Sequence, residues 1–205
     1  MAVLTISRQF GAGGRTLGAK VAKRLNYLFE DDVIIQEIAR KAKVTKSSVM
    51  GHEQTAGSLI SRILSTVVDR GYMERLTGDK VGYLDEDIYV ETLTDVIAEF
   101  AKRDNVVLLG RAGQYILQNN ENVFHILMVA EEADRIDFIM KNYNLSPEKA
   151  RHTVEQGDKR RRNLYSKFAK SGYDNPMLYH LCLNMSRISI DKAVDLVCDM
   201  IDGDE

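Results

Sequence analysis

Two stretches of the chain carry residues whose types and spacing suit chemistry on phosphate. The first is RQFGAGGRTLG, residues 8–18. It follows VLTIS (3–7), a β-branched run that reads as a buried strand. It precedes Leu17, Val21 and Leu25, which recur every fourth residue as in an amphipathic helix. A glycine turn between a strand and a helix N-terminus makes an anion site. Unpaired amides point at the ligand, and the helix dipole adds positive potential. Gly11, Gly13 and Gly14, with Ala12 among them, let successive amides converge where larger side chains would block the backbone. Thr16 follows in the first helical turn, where its hydroxyl suits a magnesium ion bridging two phosphates. The lysine that such loops use is missing. Two arginines lie close by, and a guanidinium grips two phosphate oxygens at once. Arg15, within the loop itself, is the first candidate for the lysine's work, and Arg8, at the strand's end, the second.

The second stretch is DKRRRNLY (158–165), a local basic cluster in a chain of net charge −2. Successive helical residues point about 100° apart, so at most two of Arg160, Arg161 and Arg162 share one direction. Asp158 and Arg162, four residues apart, can pair on one face. Arg111 ends VVLLGR (106–111), where a parallel strand delivers residues to the crevice at the sheet's carboxyl edge. Asp31 and Asp32 follow a short strand; helix capping is the expected role, with action through magnesium or an acceptor as the alternative. For Arg135, early in a helix, a surface salt bridge with Glu131 or Glu132 is one account, and a role in the site an equally good one. The four histidines show no metal-ligand spacing, and His125 and His180 read as structural.

These residues need a frame. YLFE (27–30), VVLLGR, VFHILMVA (123–130) and YHLCLNMS (179–186) read as further strands. Helices are expected over 32–42, over 88–102 with Ile88, Thr92, Val96 and Phe100 along one face, and over 132–142. Another follows at 146–168, with a capping serine and Pro147 in its first turn, and a last at 189–201, with Ile190, Ala193, Val194, Val197 and Ile201 inward. Alternating strands and helices imply an α/β fold: a five-stranded parallel sheet with helices on both faces. Within 43–85, residues 58–76 have helical periodicity and 77–87 read as a loop. The apolar helix at 58–68 could pack against a second subunit as a homodimer.

The 205 residues suit one domain, and 44% hydrophobic with 28% charged residues excludes disordered and fibrous classes. A net charge of −2 gives no global field for nucleic acid, so no nucleic-acid partner is expected. Cys182 and Cys198 are too few for a zinc cluster and fit a reducing compartment. No secretory signal and no membrane span are read, so the expected location is cytoplasmic.

ISRQFGAGGRTLGAKVAKRL resembles, without a gap, the P-loop and first helix of cytidylate kinases, where the loop ends in Gly-Lys-Gly-Thr. Gly11, Ala12, Gly13 and Thr16 match; the lysine falls on Gly14. The GGR ending, the GRA after a strand and the KRRRNLY segment resemble the cytidylate kinase-like branch of the P-loop nucleoside monophosphate kinases. The resemblance is strongest over 1–41 and 104–201. It implies a P-loop NTPase fold in one domain, with an acceptor-binding helical insertion at 43–103 and a helical lid at 146–175. It also implies ATP as phosphoryl donor, Mg2+ held by Thr16, and a nucleoside monophosphate as acceptor. Arg160 and Arg162 match the lid arginines that meet the transferred group, and Asp158 a lid acid. Arg111 matches the acceptor-binding arginine of a Gly-Arg-Asp motif, and Arg135 another family arginine. Three positions depart: Gly14 for the lysine, Arg161 for a lid acid, and Ala112 for the aspartate of Gly-Arg-Asp. Two other functions stand beside this one: a kinase for a different small molecule, and a nucleotide-binding or regulatory protein with impaired catalysis.

Overall fold

The structure is a computed structural model that describes residues 2–55, 86–168 and 173–203. The helix expected at 58–76, with the surface expected to form a homodimer, and the loop expected at 77–87 apart from Glu86 and Asp87, which open a helix, lie outside the described residues, as do residues 169–172 of the expected lid.

Five strands form one parallel sheet in the order β2-β3-β1-β4-β5: β1 (Val3–Arg8), β2 (Leu28–Glu30), β3 (Val106–Leu109), β4 (Val123–Val129) and β5 (Leu181–Asn184). The described helices are α1 (Gly14–Leu25), α2 (Asp32–Lys41), α3 (Lys46–Thr55), α4 (Glu86–Ala101), α5 (Gly113–Ile116), α6 (Glu132–Tyr143), α7 (Pro147–Tyr165) and α8 (Ile190–Asp202). A short 3-10 turn (Pro176–Leu178) precedes β5. No described helix is long and apolar enough to cross a membrane.

Strand periodicity sorts the core into two layers. Leu4 and Ile6 of β1 face α1 and α8 with Val107, Leu109, Ile126 and Met128, packed against Leu17, Val21, Val194 and Val197. Val3 faces the other way with Val106, Leu108 and Val123, against Ile34 and Ile38 of α2 and the stripe of α4. That stripe is Tyr89, Leu93, Val96, Ile97 and Phe100, all buried. It is therefore rotated from the expected Ile88–Thr92–Val96–Phe100 line, because the bulk of Tyr89, Leu93 and Ile97 outweighs Thr92. A small third cluster, Ile139, Ala150 and Val154, ties α6 to α7.

The helices begin and end for local reasons. Ser146 caps α7 by accepting from Lys149 N (3.4 Å), with Pro147 in the first turn. Ser189 caps α8 in the same way, accepting from Lys192 N (3.2 Å). Asp31 precedes α2 but makes no capping hydrogen bond, since its carboxylate is used elsewhere. Helices α3 and α5 and the 3-10 turn are additions to the expected elements. Of α3's described side chains only Val49 is buried, so no apolar stripe announces it.

β1 lies between β3 and β4, where the chain's path across the sheet reverses direction. The loop after β1 therefore opens into the crevice that such a switch point creates.

Candidate phosphate-binding site

Gly11 (φ 87°) and Gly13 (φ 84°) both hold the left-handed backbone that glycine adopts freely. Gly13 caps α1, and the first helical bond runs from Leu17 N to Gly13 O (3.0 Å). The amides of Gly14, Arg15 and Thr16 come before that bond and have no helical carbonyl to meet. They sit at the mouth of a cavity of about 640 Å³. Gly11, Gly13, Gly14, Arg15 and Thr16 line it, together with Arg8, Asp31, Arg111, Arg160 and Arg161. Phe138, Ile139 and Tyr143 of α6 and Met50 of α3 make its apolar wall. Ala12 is buried behind the loop and does not line the cavity.

The far rim is a strained turn. Gly110 (φ 73°), Arg111 (φ 57°) and Ala112 (φ 59°) hold left-handed conformations in succession. Two of them bear a Cβ, and such backbone survives only where its surroundings hold it in place. Gly110 N donates to Ile6 O (2.8 Å), which fixes the turn to β1. Arg111 is half-buried in the cavity wall, and Ala112 is fully buried.

The arginines fall into distinct roles. Arg15 donates from Nη2 to Asp31 Oδ2 (2.6 Å) across the cavity mouth, with its side chain 63% exposed and Asp31's 12%. This pairing replaces the expected cap. Arg160 lines the cavity from α7, whereas Arg162 is exposed and does not reach it. Asp158 does not pair with Arg162. It accepts from Arg135 Nη1 (2.7 Å) and from Phe10 N (2.9 Å). Arg135 is buried, not a surface residue bridged to Glu131 or Glu132, and also donates to the carbonyls of Phe10 (3.1 Å) and Ala130 (3.2 Å). A basic residue and an acid thus pin α6 and α7 to the start of the glycine loop.

Arg161 is also buried. It donates from Nη2 to Ser7 Oγ (2.9 Å) and from Nη1 to Asp174 Oδ2 (2.6 Å), and bonds the Tyr173 hydroxyl. Its guanidinium lies over the Tyr165 and Tyr173 rings, 4.7 and 4.9 Å from their centroids. Burial opposes its charge, but the field of Tyr165 and the bond to Asp174 outweigh that and raise its pKa. Ser7 Oγ further meets Tyr165 OH (3.1 Å). Ser7, Tyr165, Tyr173, Asp174 and Phe10 were not among the residues singled out by spacing. The available signal was VLTIS itself, whose polar Thr5 and Ser7 alternate onto one buried strand face.

His125 is buried on β4, opposite Thr5, with Nδ1 2.6 Å from Thr5 Oγ1. Burial, aided by His180, lowers its pKa to about 4, so it stays neutral. Among the described residues no group of three or more His, Cys, Asp or Glu side chains could hold a metal ion. A magnesium ion here would be carried in on nucleotide phosphates, and Thr16, which lines the cavity and is exposed, supplies one hard oxygen donor suited to it.

A central-strand glycine loop feeding a helix, in a five-stranded parallel sheet, defines the P-loop kinase fold. More narrowly, the chain belongs to the cytidylate kinase-like family, whose model matches residues 3–187. Solved structures share the fold across nearly the whole chain. An uncharacterized protein from Eubacterium ventriosum superposes with a TM-score of 0.69 at 16% identity, over 98% of this chain and 99% of that one. A gluconokinase from Sinorhizobium meliloti gives 0.53 at 10% identity, over 98% and 91%. Shikimate kinase from Bacteroides thetaiotaomicron gives 0.52 at 16% identity, over 98% of each chain. No curated protein matches the chain. The family and the shared fold support a small-molecule kinase.

Proposed function

We propose that the protein transfers a phosphoryl group from ATP to a small acceptor, a nucleoside monophosphate. The observation that carries this reading is the convergence of the glycine loop, Thr16 and arginines from four elements or their ends on one cavity. Phosphoryl transfer needs little covalent help from a protein. It needs the donor held in line and the charge on the moving group neutralised, which positioned cations supply.

In this reading the amides of Gly11, Gly13, Gly14, Arg15 and Thr16 cradle the donor phosphates, while that of Ala12 is held by Gln9 O (3.1 Å), and Thr16 takes the magnesium that arrives with them. Arg160, on the lid helix, meets the charge spread over the transferred group. Arg111, on the opposite rim, binds the acceptor's own phosphate. Arg15 spans the mouth to Asp31 and is placed to release that exposed pair when donor phosphates arrive, since such a pair is worth only about 0–1 kcal/mol. Arg162, on the outer face of α7, has no part in this arrangement unless the helix rotates.

One observation favours a second acceptor class. Ala112 is fully buried where related kinases carry an acid, so it offers nothing to a nucleobase. A small hydroxyl-bearing acceptor without a base suits that wall as well. Steady-state kinetics on nucleoside monophosphates and on small polyols or hydroxy acids separates the two. With the true acceptor, Arg160→Ala is expected to lower kcat with little change in KM, and Arg111→Ala to raise the KM of a phosphate-bearing acceptor by about tenfold or more. An acceptor whose KM ignores Arg111 would exclude the nucleoside monophosphate.

A further inference from the structure

Position 14 is where the related kinases carry a lysine, and here it is bare. Its surroundings explain why. A Cβ on Gly14 would lie 2.7 Å from Arg8 Cγ and 3.1 Å from Arg8 Cδ. The aliphatic stem of Arg8 therefore fills the space that any side chain at 14 would enter. Further along the same side chain, a Cβ on Gly110 would lie 2.1 Å from Arg8 Nη1. Arg8 thus runs from the end of β1, past the N-terminus of α1, to the end of β3, in a slot that exists because both flanking positions lack side chains.

Its chemistry there is unlike that of Arg15 and Arg161. Arg15 is bonded to Asp31 and Arg161 to Asp174. Among the described residues, no carboxylate lies within ion-pair distance of Arg8. Asp31, whose field reaches it, is bonded to Arg15. Burial lowers the pKa of Arg8; Tyr165 and Asp31 oppose this, and the nearby charges of Arg111 and Arg161 add to it. Arg8 is half-buried, and a partly desolvated cation beside two others gains from an anion that joins it. The side chain lines the cavity alongside Gly11, Gly13, Gly14 and Thr16, whose amides are themselves an anion cradle.

We propose that Arg8 is the principal phosphate-binding cation of this site, threaded through the slot between Gly14 and Gly110, and that the bare position 14 is the steric condition for its being there. The inference rests on the phosphate-site reading above and goes beyond it, because it moves the lysine's work from the loop to the preceding strand and makes residues 8 and 14 interdependent. An arginine and a lysine cannot both occupy this space.

The experiment is isothermal titration calorimetry with inorganic tripolyphosphate, and with ATP and magnesium, on wild type and a small set of variants. Arg8→Gln keeps the packed stem and removes the charge; it is expected to weaken tripolyphosphate binding about tenfold or more. Gly14→Lys alone collides with the stem and is expected to weaken binding as well. The double variant Arg8→Ala/Gly14→Lys opens the slot to the lysine and is expected to bind more tightly than either Arg8→Ala or Gly14→Lys. Circular dichroism melts on the same samples separate lost binding from lost fold. Wild type that binds, beside Arg8→Gln binding equally well, would overturn the role of Arg8 and leave the kinase reading standing. A double variant no better than the singles would overturn the interdependence. Wild type that binds neither ligand would overturn both readings together.

Discussion

Asp174 and Arg161 show how a single buried ion pair can fix one element to another. The Arg161 side chain is 7% exposed, and its two terminal nitrogens bond Ser7, Tyr173 and Asp174, while the buried Nε has no hydrogen-bond partner. Arg161→Met would leave the Asp174 carboxylate, itself only 15% exposed, without its partner, at a cost of roughly 3–5 kcal/mol. The double variant Arg161→Met/Asp174→Asn should recover much of that loss in urea denaturation, because no unpaired charge remains. His125 gives a pH signature of its own. Its pKa is about 4 in the folded chain and 6.5 when unfolded, so below pH 6.5 the unfolded state takes up a proton that the folded state refuses. Stability should therefore fall as pH drops from about 6.5 to about 4, by at most roughly 3 kcal/mol. A stability–pH curve for His125→Gln should be flatter through that window; identical curves would show that His125 does not titrate as its burial dictates. At this scale the glycine loop was legible in the sequence, because backbone conformation and a helix start are local properties. The path of Arg8 was not, nor the Arg135–Asp158 and Arg161–Ser7 bonds. These join residues far apart in the chain, and only packing decides which arginine of KRRR turns inward.

Among the elements, α7 depends on a close approach at Gly157. A Cβ there would lie 2.3 Å from Phe10 Cγ and 2.4 Å from Cδ2, so the bare helix surface receives the Phe10 ring that follows β1. Alanine inside a helix ordinarily adds roughly 0.5–1 kcal/mol of stability over glycine. Here Gly157→Ala should instead destabilise, by about 1–3 kcal/mol, because the ring and the helix must part. Phe10→Ala in the same chain should remove most of that penalty, as thermal melts of the two single variants and the double would show. The neighbouring Asp158 bonds to Phe10 N and Arg135 make the same junction polar, so α7 is anchored to the glycine loop by a ring and a carboxylate together. All five strands could be read as apolar or β-branched runs, each bounded by turn residues or polar loops. The rotated stripe of α4 and the existence of α3 could not. In α4 nearly every turn offers two apolar choices, and of α3's described side chains Val49 alone is buried, with little apolar patterning to announce the helix.

As a whole molecule, a slightly acidic chain gathers a group of arginines in one crevice. Arg8, Arg15, Arg111, Arg160 and Arg161 line a single cavity at the point where the sheet's strand order reverses. Repulsion among them is balanced by folding around Asp31 and Asp174, and a polyanion would relieve the remainder. Tripolyphosphate at saturating concentration should accordingly raise the melting temperature, through binding to the folded state alone, and added salt should shrink the increase. Bringing the glycine loop, α7 and the strained rim together in one cavity is the arrangement from which phosphoryl transfer is proposed. The direct measurement of that claim is ADP formation by the purified protein with ATP and magnesium, with and without each member of an acceptor panel, with phosphorylated product quantified in parallel. The account predicts acceptor-dependent ADP, matched one for one by phosphorylated acceptor. ATP binding with no acceptor-dependent ADP across the panel would contradict it and mark the chain as a nucleotide-binding protein without turnover.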